Sequence, residues 1–204
     1  MDDKRGMTDY SDVIEYEKSR ESERHHRGKS SEDLLDKGRI LDVLPIRPGQ
    51  VILDAGCGNG YMSREFARLV GDQGKVYALD PDSTAIEALR ADMDASNVVA
   101  VVGDVTTRTD LPSSTFDLVY LSTVFHCFSA EQIGGFAEEV RRLLAPDGRL
   151  AIVEMVKRVT PFGPPINMRF SADELKDVLA LSPLETIEVG DYFYMQVFGN
   201  WLTG

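Results

Sequence analysis

The chain has 204 residues, 43% of them apolar, which is enough for one domain with a complete hydrophobic core. It carries 22 Lys and Arg against 34 Asp and Glu, and the resulting formal charge of −12 disfavours nucleic acid as a partner. No apolar run approaches the roughly 18 to 20 residues of a membrane span, and the charged N-terminus does not resemble a signal peptide. Two cysteines are too few for a disulfide scaffold. We therefore expect a soluble cytoplasmic protein with reduced thiols and no membrane span.

Residues 1–33 differ from the rest of the chain, because charged side chains dominate them and apolar ones are few. Such a stretch cannot build a core of its own. Two interpretations stay open: a solvated tail, or a lid that apolar side chains such as Tyr16 hold over a pocket. The predicted organisation is a charged N-terminal lid or tail at residues 1–33, followed by a single domain at residues 34–204.

Five short apolar runs alternate with helical periodicities from residue 34 onward. Each run is continuously apolar, as are strands that a parallel sheet buries on both faces. The runs lie at residues 51–53, 76–79, 98–102, 118–121 and 150–153. Apolar residues at helical spacing follow the first, second and fourth runs. Residues 129–132 have the form of a capping box, and residues 171–174 cap a further predicted helix.

Two further strands are predicted near the end of the chain. They lie at residues 186–189 and 192–198, joined by the turn pair Gly190-Asp191. A series of strands and helices that ends in a hairpin implies an α/β fold. The sequence predicts a doubly wound, Rossmann-like sheet of seven strands, mostly parallel, with one antiparallel strand in the C-terminal hairpin.

A glycine-rich turn follows the first apolar run. Asp54 ends the strand, and Gly56, Gly58 and Gly60 alternate before a predicted helix. Glycine permits a sharp turn and lets a ligand approach the backbone at the start of the helix. A tight turn without a ligand is the alternative interpretation. Dinucleotide sites use G-x-G-x-x-G, whereas this turn is G-x-G-x-G beside a carboxylate, which would repel pyrophosphate and suits an ammonium group.

Two more acids end the next two predicted strands. Asp80 follows the second strand and can accept hydrogen bonds from both hydroxyls of a ribose. Asp104 follows the third strand and can accept from an exocyclic amine such as that of adenine. An amino-acid head, a ribose and an adenine, each met by an acid on an adjacent strand, describe S-adenosylmethionine. The sequence therefore predicts this cofactor, with S-adenosylhomocysteine as its product.

These motifs resemble those of the class I S-adenosylmethionine-dependent methyltransferases. The similarity is to the small-molecule group (methyltransferase type 11 like) that includes the ubiquinone and menaquinone methyltransferases. It covers about residues 34–198 and depends on five motifs in order. The motifs are residues 53–60 (LDAGCGNG), 76–80 (VYALD), 103–104 (GD), 116–122 (FDLVYLS) and 143–150 (LLAPDGRL).

The resemblance implies a role for each matching residue in binding the cofactor. It places Asp54 and Gly56 near the methionine amino group, with Gly58 and Gly60 in the same loop. It assigns Asp80 to the ribose and Asp104 to the adenine amine. The remaining implied contacts are the Leu121 backbone at the methionine end, and Pro81, Asp82 and Val105 around the adenine ring.

The implied chemistry is methyl transfer from the sulfonium to a small-molecule acceptor by in-line displacement. A general base is optional, and His126, just after the fourth predicted strand, is the leading candidate, with helix packing as the alternative. Arg169 is a candidate for an anionic group on the acceptor, or a surface residue. Tyr16 and Tyr194 are further candidates for the acceptor pocket. The histidines and cysteines lack zinc-site spacing, so no metal is predicted.

Other functions compete with this one. The main alternative is an S-adenosylmethionine-binding regulatory protein without turnover. An NAD-dependent oxidoreductase needs the other glycine spacing, and a nucleic-acid methyltransferase is disfavoured because residues 121–124 (LSTV) replace the Asn-Pro-Pro-Tyr type of run. The expected partner is a small-molecule acceptor and not nucleic acid, and both a monomer and a homodimer stay open.

Overall fold

The computed structural model describes residues 31–200, and from Leu34 onward they form one mixed sheet with helices on both faces. The seven strands are β1 (Val51–Ala55), β2 (Lys75–Asp80), β3 (Val98–Val102), β4 (Phe116–Ser122), β5 (Leu144–Met155), β6 (Ser182–Glu188) and β7 (Phe193–Gly199). Of the predicted N-terminal lid or tail, residues 1–30 lie outside the described part of the chain.

The strands lie side by side in the order β3-β2-β1-β4-β5-β7-β6. The pairs β1·β2, β1·β4, β2·β3 and β4·β5 are parallel. The strand β7 lies between β5 and β6 and runs antiparallel to both. This confirms the prediction of a doubly wound, Rossmann-like sheet with one antiparallel strand in a C-terminal hairpin.

The described helices connect the parallel strands and cover the two faces of the sheet. They are α1 (Lys37–Val43), α2 (Tyr61–Val70), α3 (Ser83–Asp92), α4 (Ala130–Leu143) and α5 (Ala172–Val178), with short 3-10 helices at Ser31–Leu34, Phe125–Cys127 and Ile166–Met168. Capping boxes start α4 at Ser129 and α5 at Ser171, and both helix starts are as the sequence predicts. Among residues 31–200, no helix is long and apolar enough to cross a membrane.

Each face of the sheet has its own apolar core, because side chains alternate between the faces along a strand. On one face, Phe136 of α4 belongs to the same buried cluster as Leu53 of β1. On the other face, Phe66 of α2 packs with Ile52 of β1 and Tyr120 of β4. Burial on both faces explains why the central strands are continuous apolar runs in the sequence.

Two strands begin four or more residues earlier than the sequence predicts. The strand β5 begins at residue 144 rather than 150, and its first residues include a Pro-Asp-Gly sequence that is typical of turns. The strand β6 begins at residue 182 rather than 186. It is an edge strand with mostly exposed side chains, so no apolar run marks it.

The connection between β3 and β4 is held by a buried ion pair on α4. Glu139 is buried and accepts hydrogen bonds from Thr109 and from Arg142, at 2.6 Å for the Arg142 Nη2 atom. Arg142 also donates to the Leu111 carbonyl and the Ser113 hydroxyl. Burial alone raises the pKa of Glu139, but the hydrogen bonds from Arg142 and Thr109 bring that pKa below its usual value.

We expect Arg142→Ala to lower the free energy of unfolding by about 3 kcal/mol, because it leaves the Glu139 carboxylate buried without its cation. Urea denaturation measures the change. Arg141→Ala on the same helix is the matched control, and it should change the free energy of unfolding by less than about 0.5 kcal/mol. Equal values for the two variants would show that the pair does not stabilise the fold.

Candidate active site

The glycine loop between β1 and α2 takes backbone conformations that side chains resist. Gly56, Gly58 and Gly60 have φ angles of +70°, +51° and +76°. A Cβ atom at Gly56 would lie 2.8 Å from the Val124 side chain, and one at Gly60 would lie 2.4 Å from Leu89. A Cβ atom at Gly58 would meet nothing within 4 Å. Gly58 therefore presents bare backbone to open space, where a ligand can approach.

Several N–H groups of this loop are already used inside the protein. Gly56 and Cys57 both donate to the Leu79 carbonyl at the end of β2, at 2.7 and 3.1 Å. Gly58 donates to the Asp80 carboxylate at 2.9 Å. A pyrophosphate site needs such N–H groups free to bind phosphate oxygens. The loop is thus better suited to a ligand without phosphate, in agreement with its glycine spacing.

Three acids lie near the carboxyl ends of neighbouring strands: Asp54 is the last residue but one of β1, Asp80 ends β2, and Asp104 follows β3 by two residues. Asp80 ends β2, and its two carboxylate oxygens accept from the backbone N–H groups of Gly58 and Asp82. Asp104 accepts from the Thr106 N–H and hydroxyl through Oδ1, at 2.8 and 2.7 Å. No donor within residues 31–200 reaches its Oδ2 atom, so that oxygen can accept from a ligand.

Asp54, the acid of β1, is buried. It is 3% exposed, and the Ser63 hydroxyl of α2 donates to its carboxylate at 2.5 Å. Burial raises the pKa of Asp54 to about 6, the charge of Asp80 adds to the rise, and the Ser63 bond opposes it. A buried carboxylate with one hydroxyl partner is stabilised further when a cation binds beside it.

His126 forms a buried pair with Glu154. His126 lies in the 3-10 helix after β4, and its Nδ1 atom is 2.9 Å from the Glu154 carboxylate, which also accepts from the His126 N–H at 3.3 Å. Glu154 is fully buried near the end of β5. Burial lowers the pKa of His126, but hydrogen bonds with Cys127 and Glu154 outweigh it and raise that pKa to about 10. At neutral pH the ring is therefore held as an imidazolium beside a carboxylate.

Arg169 holds together the proline-rich loop that follows β5. It is 5% exposed, and its guanidinium donates to backbone carbonyls of Pro164, Val156, Arg158 and Phe162, at 2.8 to 3.2 Å. A contact between Arg169 and an anionic acceptor stays a prediction. These four hydrogen bonds explain why an arginine is buried here, because carbonyls from separate parts of the loop satisfy its guanidinium donors.

Tyr194 and Tyr16 are the other residues predicted to line the acceptor pocket, and the structure describes only the first of them. Tyr194 of β7 is buried, and its hydroxyl donates to the Phe170 carbonyl at 2.7 Å. It is the register partner of Glu154, so it lies next to the His126–Glu154 pair. Tyr16 lies outside the described residues. The contacts of both tyrosines with an acceptor stay predictions.

The predicted adenine and methionine contacts are at the same edge of the sheet. Pro81 and Asp82 are exposed, and Asp82 caps α3 by accepting from the Thr84 N–H at 2.8 Å. Val105 is buried beside the third acid. The Leu121 side chain is fully buried in the core, so only its backbone is available to a ligand.

Glu154 is a site residue that the sequence reasoning missed. It follows the predicted strand at residues 150–153 directly, and an acid at the end of a buried strand was the signal that identified Asp54 and Asp80. The same signal could have identified Glu154. Its pairing with His126 joins residues from two strands and is not visible in the spacing.

A polar cleft of about 770 Å³ lies elsewhere on the carboxyl edge of the sheet, beside β5 and β7. Its lining includes Arg39, Lys157 and Arg158 together with Glu188 and Asp191. It contains none of the predicted site residues. The mixture of both signs of charge indicates no particular class of ligand.

The strand order, the glycine loop and the row of acids are those of a class I S-adenosylmethionine-dependent methyltransferase, and similarities of sequence and of structure support this assignment. Residues 52–148 match a methyltransferase domain. The structure is similar to that of a SAM-dependent methyltransferase from Aquifex aeolicus, with a TM-score of 0.78 and 26% identity over 87% of this chain and 96% of that one. S-adenosylmethionine is the cofactor of this family.

The curated relatives include ubiquinone/menaquinone biosynthesis C-methyltransferases. The chain is 30% identical to UbiE of Hydrogenovibrio crunogenus over 130 residues, which are 62% of this chain and 50% of that enzyme. It is 28% identical to UbiE of Cronobacter sakazakii over 167 residues, which are 79% of this chain and 63% of that enzyme. The chain thus matches about half to three fifths of the length of these relatives.

The predicted contact between Asp54 and the methionine amino group makes cofactor affinity depend on pH. An ammonium ion binds the ionised carboxylate, whose pKa is about 6 before binding, so affinity should rise with pH through this range. We expect the Kd for S-adenosylhomocysteine to be about tenfold weaker at pH 5 than at pH 7. Isothermal titration calorimetry measures both values.

Asp54→Asn is the control for this titration, because it keeps the shape of the side chain and removes the charge. We expect weaker binding at pH 7 and a much flatter pH dependence in this variant. The same slope in both proteins would assign the pH dependence to another group.

Proposed function

We propose that this protein transfers the methyl group of S-adenosylmethionine to a small-molecule acceptor by in-line displacement. The observation that carries this proposal is that two groups of residues occupy adjoining parts of the carboxyl edge of the sheet. The glycine loop and three acids lie at the ends of β1 to β3, and the His126–Glu154 pair lies at the ends of β4 and β5. Group transfer needs such adjoining places for donor and acceptor. The net charge of −12 supports a small molecule rather than nucleic acid as acceptor.

The described residues fit the cofactor. We assign its amino group to Asp54, its ribose hydroxyls to Asp80 and its adenine amine to the open Oδ2 of Asp104. The bare backbone at Gly58 leaves room for close approach, since a Cβ there meets nothing within 4 Å. The hydrogen bonds inside the loop suit a ligand that carries no phosphate.

When bound, S-adenosylmethionine supplies a methyl group on a sulfonium, which is already a good electrophile. The residues of this chain therefore have to orient the acceptor and exclude water. In this proposal His126 contacts the acceptor, and the Glu154 carboxylate positions the imidazole through its contact with the Nδ1 atom. Because the pair keeps the ring protonated at neutral pH, we assign His126 the role of hydrogen-bond donor rather than general base. The loop that Arg169 holds together follows β5, the strand that carries Glu154.

Transfer of a radioactive methyl group into a fractionated cell extract tests the function. We expect label in the small-molecule fraction, dependent on the protein and lost in Asp80→Ala, which removes the proposed ribose contact. Label in nucleic acid or protein would overturn the small-molecule acceptor. Binding of S-adenosylhomocysteine without any transfer of label would favour a regulatory protein without turnover.

The pH dependence of kcat/KM distinguishes a donor from a base at His126. A donor must be protonated, so at saturating S-adenosylmethionine kcat/KM for the acceptor should be level from about pH 7 up to the His126 pKa of about 10 and fall above it. Cys127 and Glu154 both raise this pKa, and Glu154→Gln removes the second of them, so the fall should move towards the ordinary histidine value of about 6.5. A base gives the opposite sign, because kcat/KM would rise with pH through the same pKa.

Titration of the histidine ring by NMR is the control that needs no acceptor. His126 is one of three histidines, and His126→Ala assigns its signals. A ring that titrates near pH 6.5 in both wild type and Glu154→Gln would contradict the positioning role of Glu154.

A further inference from the structure

The two outer strands of the sheet, β3 and β6, differ in how their sequences oppose further strand pairing. Within residues 31–200, β3 pairs with β2 alone and β6 pairs with β7 alone. The strand β6 contains Pro183 and two glutamates, and both proline and charge oppose the addition of another strand. The strand β3 has the sequence VVAVV, without proline or charge. Its own residues therefore do not protect the side of β3 that faces away from β2, here called the β3 edge.

The register with β2 determines which backbone groups point towards the β3 edge. Gly103 donates to the carbonyl of Asp80 on β2 at 3.0 Å, and Asn97 accepts from an N–H group of β2. Alternate residues of a strand bond a parallel neighbour, so the odd-numbered residues of β3 bond β2. The even-numbered residues, including Ala100 and Val102, therefore direct their N–H and carbonyl groups away from β2. The Val102 side chain is also 45% exposed.

A side chain of α3 covers the centre of the β3 edge. Arg90 lies in the last turn of α3, and its Nε and Nη2 atoms donate to the Ala100 carbonyl at 3.1 and 2.7 Å. The guanidinium thus occupies the central acceptor that a further strand would use, and it places a positive charge there. The protection that β6 has from its own sequence is supplied to β3 by a neighbouring helix.

A second copy of the chain is complementary to the β3 edge. The VVAVV sequence reads the same in both directions, so two antiparallel β3 strands centred on Ala100 place valine opposite valine. In this arrangement the two Ala100 residues exchange two hydrogen bonds, and each Val102 N–H meets the Val98 carbonyl of the other copy. The Val98 N–H takes no part, because it donates to a carbonyl in the turn before β3. Both central bonds need the carbonyl that Arg90 occupies.

We propose that the β3 edge is an interface for a second copy of this chain and that Arg90 blocks it. The pairing joins the sheets of two copies about a two-fold axis at Ala100, with the same surface used on both. It requires the Arg90 side chain to leave one carbonyl, and β3 itself is already an extended outer strand. This inference goes beyond the proposed function and uses neither the cofactor nor the acceptor.

Sedimentation velocity of the full chain tests the proposal. We expect Arg90→Ala to self-associate at least about tenfold more strongly than wild type, because each copy regains its central acceptor. Arg68→Ala is the matched control, since this guanidinium lies on α2 and donates to the Glu65 carboxylate rather than to a strand. Its loss should leave self-association within about twofold of wild type.

Val102→Lys in the Arg90→Ala background shows where the copies associate. It adds a charge to the β3 edge and leaves the Ala100 carbonyl uncovered, so the double variant should sediment as wild type does. Sedimentation of Arg90→Ala as wild type overturns the proposal. Association that Val102→Lys leaves unchanged also overturns it, because the contact then lies elsewhere or results from partial unfolding. Arg90→Met keeps the length of the side chain without a donor, and it replaces Arg90→Ala in both comparisons where that variant does not fold.

Discussion

The parallel pairing of β1 with both β2 and β4 is the constraint on which the site depends. Parallel neighbours end at the same edge, and the register places Asp54 between Ala78 and Tyr120. The glycine loop leaves β1 at this edge and is tied down at once, because Gly56 donates to the β2 carbonyl of Leu79. Strand end, loop and acids are thus one hydrogen-bonded unit. The cofactor side of the site is positioned by the same bonds that hold the sheet.

Polar groups buried in this fold fall into two kinds. Glu139 is fully paired, by Arg142 and Thr109, and these bonds hold a connecting segment in place. Asp54, in contrast, is buried with one hydroxyl partner, and it lies at the carboxyl edge, where sheets of this type bind their ligands. Incomplete pairing of this kind costs folding free energy, and it is tolerated where a ligand completes it. The number of hydrogen-bond partners of a buried polar group therefore distinguishes groups that stabilise the fold from groups that are available to a ligand.

Much of the cofactor side could be predicted from sequence, since its groups are local: the glycine turn follows one strand, and Asp80 ends the next. Both capping boxes are local as well. The strand β6 was placed too late because its side chains are exposed and give no apolar pattern. The carbonyl contacts of Arg169 and the pairing of His126 with Glu154 join distant segments, and no spacing in the sequence reveals them. The sequence located the groups that lie at strand ends, and it missed the contacts that join distant segments.

The proposed acceptor side is held by different means from the proposed cofactor side. The loop after β5 is fixed by hydrogen bonds from one arginine to several carbonyls, and the segment after β4 begins with Thr123 at a φ of +56°, a strained conformation for a β-branched residue. Such strain persists only where surrounding contacts impose it, here beside His126. Because the hydrogen bonds of Arg169 involve neither the glycine loop nor the acids of β1 to β3, substitutions in the loop after β5 should leave the glycine loop and these acids in place.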